Sequence, residues 1–574
     1  MFEPVTSLNS PKSSGKLIGL FLLGWTILNI LQAATLGLHS DEAYYWVYSR
    51  FLDWGYYDHP PMVALFIRLG DSLWHTELGL RMVTIITSTI SMYVLWLIAK
   101  KYRADARWFV LIAAGTLAFH IYGFTTTPDA PLLFFTVLFY YLYQQYLEKD
   151  KWSTAVLLAV IVACLLYSKY HSVLLIFFTL IANLKLLRRP SFWLIMVLAV
   201  ILYAPHIWWQ ISHGYPSVNY HLFERSSETY QPEYTYQYIP GQLLMAGPLI
   251  GWYLFYFTWT FKTKDIFART LLFNGIGVFV FFLLNTIKGN VQPHWTLISF
   301  VPLLLLTLIR LQQSGKPSLW VYRLVVANAI LVVVFRLVLL AGWAPLLKRH
   351  PFKSYFGYPE WTHQIQQKAG NKYVMFDYGF QEPSKYNYYT NNLKGFAYDS
   401  RFYRRTQYDI WPLEERLQHQ RALYVSNGMA NGITTDSVKT VKGTYYIGWV
   451  NDIRTYQKID IQLAERKFKV KAGQQLTFHL KLTNPYTYPV NFSNQHTTHP
   501  VSMSACFFQG DDLPYIKTAG DNFDGLVIPS RQTANFDYSI QAPDKKGRYE
   551  LVFSIKTAPF AGGRNSRSIT FIVE

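Results

Sequence analysis

The stretch LIGLFLLGWTILNILQAATLGLHSDEAYYWVYSRFLDWGYYDHPPM, Leu17–Met62, joins two unlike compositions. Up to Leu38 it is apolar and long enough to cross a bilayer, which takes about 20 mostly apolar residues in a helix. From His39 it turns polar and aromatic at once. Asp41, Glu42 and Asp58, two histidines, and Tyr44, Tyr45, Trp46 and Tyr48 crowd the mouth of a single apolar segment. A plain loop needs none of them. The run at 17–38 is too long for a signal-peptide core and shows no small-residue cleavage site, so it is expected to be an uncleaved span.

The rest of the chain repeats the first half of that pattern. Of 574 residues, 51% are hydrophobic and only 15% charged, against roughly 25% charged in a soluble domain. About eleven runs satisfy the spanning criterion: 17–38, 81–99, 107–124, 130–147, 153–168, 171–187, 191–209, 243–261, 270–287, 295–311 and 319–342. The net charge of +19 is not a nucleic-acid signature. Lys12 and Lys16, Lys100 to Arg107, Lys149 and Lys151, Lys185 to Arg189, Lys262 to Arg269, and Arg310, Lys316 and Arg323 fill every second loop. Basic residues in alternate short loops mark the cytoplasmic side. The N-terminus is then expected inside and everything after Leu340 outside. Cys164 and Cys506 are the two cysteines, one in an apolar run and one far from it, so no disulfide framework is expected and the redox compartment stays open.

Beyond the spans, residues 343–454 mix helix and strand signals. Pro359–Ala369 and Pro412–Ala422 read as helices, and YVMFDY (Tyr373–Tyr378) and ALYV (Ala422–Val425) as short buried strands. From about 455 to 574, FKVKAG, QLTFHLKLTN, PVNFS, ANFDYSIQA, RYELVFSIK and SITFIVE alternate apolar and polar residues between turns, as in a small antiparallel β-sandwich. Three domains are expected: 1–342 in the membrane, 343–454 α/β and 455–574 β-sandwich.

The basic loops alone fix the orientation, yet the acids and histidines fall together on the opposite face. Asp41 and Glu42 follow the first span. A carboxylate there can act as general base or help hold a divalent metal, although Ser40 as cap with acids in the first turn also describes a plain helix start. Asp129 in TTTPDAPLLFF lies between two prolines at the edge of hydrocarbon, where acids are costly and usually functional or paired. His59 is held by Pro60 and Pro61, whose φ is fixed, and follows Asp58. Arg81, Lys169 and Lys288 are cations at outer span ends, suited to a lipid phosphate or, taken singly, to snorkelling. His171 stands at a span edge, and His294 beside Trp295 in KGNVQPHW. The aromatic residues after Glu42 fit a helix lying in the membrane interface.

DEAYYWVYS with LDWGYYDHPPM, TTTPDAPLLFF and NVQPHW resemble the motifs of bacterial members of the dolichyl-phosphate-mannose–protein mannosyltransferase family, similar in plan to the lipid A aminoarabinose transferases. The resemblance spans roughly 15–345 and leaves the tail uncovered. It implies a GT-C type α-helical polytopic membrane protein of the cell (inner) membrane. The implied reaction is an inverting transfer from a polyprenyl-phosphate sugar to an extracytoplasmic acceptor, whether protein, lipid or glycan. Asp41 matches the family's base, Glu42 its partner acid and Asp129 the acid of the second outer loop. His59 matches the first-loop His-Pro-Pro, and residues 288–295 the late outer loop. Lys169 and His171 occupy a region where relatives often carry a basic residue near the donor phosphate. Asp58, Tyr44 and Arg81 join them as expected substrate-binding residues. A divalent metal on Asp41, Glu42 and Asp129 is the one cofactor in view. Two other readings compete: a transporter or flippase, which predicts charges at the bilayer midplane and an internal repeat, and a non-catalytic envelope scaffold acting through its tail.

Overall fold

The computed structural model describes residues 11–224, 230–314, 317–343, 345, 349, 352–398, 400–430, 432–495, 497 and 499–574. Lys316, one of the residues used to orient the chain, lies outside them. The chain forms two compact units that divide between Phe356 and Gly357.

The first unit is helical. It opens with α1 (Pro11–Thr35), α2 (Ser40–Arg50), α3 (Met62–Asp71), α4 (Glu77–Lys101), α5 (Ala106–Gly115) and α6 (Leu117–Tyr122). There follow α7 (Asp129–Glu148), α8 (Trp152–Ser168), α9 (Ser172–Ala182) and α10 (Pro190–Ser212). Among the described residues six helices are long and apolar enough to cross a membrane: Ser13–Thr35, Glu77–Lys101, Pro190–Ser212, Ile266–Asn285, Pro293–Gln313 and Leu319–Leu340. The other five expected spans fall on shorter, more polar or broken helices. This is a multi-pass membrane protein.

Two of the breaks share one physical cause. The run at 107–124 is interrupted at Thr116, whose backbone is extended, and the run at 243–261 at Gly247, with φ +151°. Asn328, buried in Leu319–Leu340, reaches both. Its Nδ2 donates to the Gly115 carbonyl at 2.8 Å and its Oδ1 accepts from the Leu249 amide at 2.9 Å. Irregular backbone at membrane depth survives only where such partners exist. A Cβ on Gly115 would stand 2.3 Å from Asn328 Nδ2, so the small residue is what lets the amide approach. Farther along the same helix, Arg336 Nη1 donates to Asn29 Oδ1 at 2.7 Å, and its guanidinium lies over Phe124. A span thus carries a buried cation, spent on joining α1 to the last helix.

The basic loops gather at one end of the bundle. Lys101 pairs with Glu148 at 2.8 Å, Tyr102 donates to Asp265 at 2.8 Å, and Arg189 faces Asp150 at 3.8 Å. The first unit also runs past the expected boundary at 342. The Phe352 ring sits 5.8 Å from Phe335, and Tyr355 and Phe356 pack on Ala33, Leu36, Ile85 and Phe124, so this segment belongs to the bundle.

The second unit holds two sheets systems in one body. Strands β1 (Tyr373–Asp377), β2 (Gly395–Tyr398), β3 (Ala422–Ser426), β4 (Asp436–Thr440) and β5 (Gly443–Val450) form a sheet in the order β2-β1-β3-β5-β4. The first three strands run parallel. The helix expected at Pro359–Ala369 is present as Tyr358–Ala369. That expected at Pro412–Ala422 shrinks to Leu413–Leu417, because Ala422 already pairs into β3 between β1 and β5.

The sandwich follows with β6 (Asp460–Gln462), β7 (Lys467–Val470), β8 (Gln475–Thr483), β9 (Val490–Asn491) and β10 (Val501–Gln509). Then come β11 (Asp512–Thr518), β12 (Val527–Ile528), β13 (Thr533–Gln541), β14 (Gly547–Thr557) and β15 (Ile569–Val573). Sheet β11-β10-β14-β15-β7 faces sheet β13-β8-β6 across an apolar core. Alternation does not reveal β10. Its inner residues Met503, Ala505 and Phe507 enter the sandwich core, while the other face is buried too, with Arg401 donating to Cys506 Sγ and Phe402 edge-on to Phe508. Cys164 and Cys506 are both free thiols.

Candidate active site

At the other end of the bundle, α2 starts within a few residues of α1. His39 caps it, not Ser40: His39 Nδ1 accepts from the Asp41 amide at 3.2 Å, and the His39 amide donates to Glu42 Oε2 at 2.9 Å. This is a capping box with an imidazole in the usual hydroxyl's place. It gives the two adjacent acids different fates.

Glu42 turns inward. Its Oε1 accepts from Arg81 Nε at 2.8 Å and from the Thr126 amide at 3.0 Å, and its Oε2 from Arg81 Nη2 at 2.6 Å. Arg81 spends its remaining donors on the carbonyls of Ala33, Leu36 and Gly37. The pair is fully buried. Burial alone would raise the Glu42 pKa, but Arg81 and the amides hold it below the ordinary value. Arg81 therefore cannot serve as the expected phosphate ligand, and Glu42 is the acid that fixes α1, α2, α4 and the Thr126 loop together.

Asp41 turns outward. Its side chain is 40% exposed, with His39 Nδ1 at 3.5 Å. Burial pushes its carboxyl up, and the adjacent His39 pulls it down further, leaving it below the usual range. Of Asp41, Glu42 and Asp129, it is the one that carries no Lys or Arg partner among the described residues.

Asp129 occupies the first turn of α7 without capping it. Both its oxygens accept from Lys169 Nζ, at 2.8 and 3.0 Å, and His294 Nε2 stands 4.0 Å away. Lys169, at the C-cap of α8, is buried beside it. His59 lies edge-on to Tyr45, with ring centroids 5.7 Å apart. Burial pushes its imidazole down to about 3, against the pull of Asp58, so it is neutral near pH 7. The Nδ1 atoms of His59 and His171 are buried and find no hydrogen-bond partner among the described residues. The charges of Asp41, Asp58 and Asp129 all act on Tyr45, and those of Lys169, His221 and Asp129 on His59. One cluster results.

Other expectations are corrected. The helix carrying Tyr44, Tyr45, Trp46 and Tyr48 turns these rings into the protein and not outward as an interface anchor would; every residue from Glu42 to Ser49 is buried within the unit. Tyr44 packs against Tyr48 with 1% exposed and is closed to a substrate. Asp58 accepts from the Tyr48 hydroxyl at 2.5 Å, which ties the aromatic loop to α2. Lys288 is exposed in the turn after Ile266–Asn285 and forms no ion pair with the acids among the described residues. A metal does not fit Asp41, Glu42 and Asp129: Arg81 and two amides fill the Glu42 lone pairs, and Lys169 neutralises Asp129. No group of three or more His, Cys, Asp or Glu is placed to hold one among the described residues.

Sequence reasoning missed His39, His206 and His221. His221 Nε2 bonds the Asp58 carbonyl at 2.9 Å, and His206 Nδ1 the Trp54 carbonyl at 2.7 Å. Their only signal is a histidine in or beside an aromatic segment, which does not tell a ligand-facing ring from a structural one. Gly55 is legible only in the fold: a Cβ there would meet the Trp209 ring at 2.4 Å, so the loop lies flat on α10.

The fold and the site define a membrane-embedded helical bundle with an acid, lysine and histidine cluster at one end, joined to an α/β and β-sandwich unit. Residues 58–209 match the family model described as dolichyl-phosphate-mannose-protein mannosyltransferase. That segment holds the DHPPM and TTTPDAPLLFF motifs and Lys169. ArnT from Cupriavidus metallidurans in the apo state is similar in structure, with a TM-score of 0.58 at 14% identity over 76% of this chain and 98% of that one. The same protein bound to undecaprenyl phosphate gives 0.56 at 15% identity, over 75% and 97%. No curated protein matches significantly in sequence. The chain has the GT-C fold in its ArnT-like form and resembles the mannosyltransferase family over the matched segment.

Proposed function

We propose that the chain is an inverting membrane glycosyltransferase that moves a sugar from a polyprenyl phosphate to an acceptor hydroxyl or amine on the extracytoplasmic face of the cell membrane, with Asp41 as general base. The observation that carries this is the division of labour among the three acids. Glu42 and Asp129 are paired with Arg81 and Lys169, while the ionised Asp41 has no Lys or Arg partner among the described residues and stays partly exposed. The ArnT structure with undecaprenyl phosphate supports the choice of donor.

In the reaction the acceptor oxygen attacks the anomeric carbon from the face opposite the phosphate. The bond from that carbon to the phosphate oxygen breaks, and its electron pair leaves with the lipid phosphate. The acceptor proton passes to an Asp41 oxygen. A carboxylate with a lowered pKa is a weak base, but a glycosyl transition state resembles an oxocarbenium ion, so the acceptor becomes acidic late and a positioned carboxylate suffices. The phosphate already leaves readily and needs no general acid. His59 and His171, protonated on Nδ1, would donate hydrogen bonds to its oxygens, and Lys169 would share its ammonium between Asp129 and the phosphate.

The test is transfer by full-length protein in native envelope membranes, which carry the acceptor, supplied with a panel of undecaprenyl-phosphate sugars and read as donor consumed. Asp41→Asn is expected to lower the rate about 10²-fold or more, the range of a lost general base, with an unchanged melting profile. Full activity in that variant defeats the base assignment.

A further inference from the structure

The second unit contains a cavity of about 220 Å³ whose wall includes Asp377, Tyr378, Ser400, Tyr424, Phe402 and Phe560. Its place in the fold is informative. In the order β2-β1-β3, the chain leaves β1 for β2 on one side and returns to β3 on the other, so the carboxyl ends of β1 and β3 flank a topological switch point. Open parallel sheets bind ligands in the crevice outside that point. Asp377 ends β1, and Tyr424 lies in β3. The far wall is Phe560, in the connection between β14 and β15 of the same unit, with its ring 4.8 Å from Tyr398 and 5.9 Å from Tyr424.

The local backbone is bent to open this crevice. Tyr378 has φ +65° and Gly379 φ +73°. Two successive left-handed residues turn the chain sharply after β1, and a bulky residue there is strained. The turn leaves the Tyr378 ring 50% exposed and Phe402 44% exposed at the rim. Half-buried Asp377 accepts from Ser426 Oγ at 3.4 Å, and no Lys or Arg pairs with it among the described residues. Burial pushes its carboxyl up, as at many ligand sites.

We propose that this crevice is a saccharide-binding site that seats a single pyranose ring. A pyranose has an apolar C–H face and a rim of hydroxyls. The exposed Tyr378 and Phe402 rings offer flat apolar surface for the first, and Asp377 with the Ser400 hydroxyl offers an acceptor and a donor for the second. The volume falls below the roughly 300–1,000 Å³ of drug-sized pockets, which suits one ring rather than an extended chain. The lining sets one cation, Lys556, against the Asp377 carboxylate, so it holds no excess of positive charge to select a phosphate over a neutral ring. The choice of a saccharide leans on the glycosyl-transfer reading, which puts acceptor or product glycans within reach; the location of the site does not.

The experiment is titration of the full-length protein in nanodiscs with a panel of methyl pyranosides, including the glucoside, mannoside, galactoside and N-acetylglucosaminide, read by saturation-transfer NMR. At least one is expected to bind saturably. Asp377→Asn and, independently, the rim variant Phe402→Ala are expected to weaken it tenfold or more, while Asp41→Asn leaves it unchanged. Binding of no glycoside, binding that survives both substitutions, or binding lost in Asp41→Asn overturns the proposal, as does a short peptide binding there in place of every glycoside. If Asp41→Asn retains full transfer, the catalytic reading falls while this one stands.

Discussion

At the residue scale, the difference between Asp41 and Glu42 comes from one peptide step along a helix. Neighbouring positions on a helix point about 100° apart, so one acid enters the bundle and the other leaves it. Arg81 decides what the inner one does. Five guanidinium donors meet two carboxylate oxygens and three main-chain carbonyls, and removing one partner of such a buried pair costs about 3–5 kcal/mol by leaving an uncompensated charge. Arg81→Leu is therefore expected to lower folded yield and thermal stability in detergent extracts, whereas Asp41→Asn is not. An Arg81→Leu protein with unchanged stability but weakened donor binding would restore the phosphate-ligand role. The acid and its motif are plain in the sequence. Which of two adjacent acids stays open is not, because it depends on Arg81, 39 positions away.

At the scale of elements, the broken helices tell the same story. Hydropathy places 107–124 and 243–261 as spans, and both are apolar, but hydropathy cannot see a missing turn of backbone bonds. Asn328 supplies a donor to one break and an acceptor to the other. Each orphaned buried group costs about 1–3 kcal/mol, so Asn328→Leu is expected to lower the unfolding temperature clearly, and more than a leucine substitution at exposed Tyr322 on the same helix. Equal effects would mean that the breaks find other partners. In the tail, strands with one wet face, such as β8 and β13 with their alternating burial, are legible from period alone. β10 is not, because a residue such as Cys506 is covered by the α/β part and not by the facing sheet.

At the scale of the whole molecule, the chain divides once, at Phe356 and Gly357. The two expected tail domains share a body: Glu414 accepts from the Gln457 amide at 2.7 Å and from the Tyr486 hydroxyl at 2.6 Å, and the Arg401 amide donates to the Gly562 carbonyl at 2.7 Å. Residues 357–574 expressed alone are expected to be soluble and to melt in one cooperative transition by circular dichroism. Two separated transitions would show that the α/β and sandwich parts are independent after all. By itself the sequence determined what short-range chemistry determines: the apolar lengths that span, the basic loops that gather at one end, the alternating strands, and the motif acids at the other end. Only the tertiary structure decided which charges are spent on one another. Ion pairs such as Glu42 with Arg81 and Asp129 with Lys169 join residues tens of positions apart, and composition and period carry no record of which side chains meet across a packed bundle.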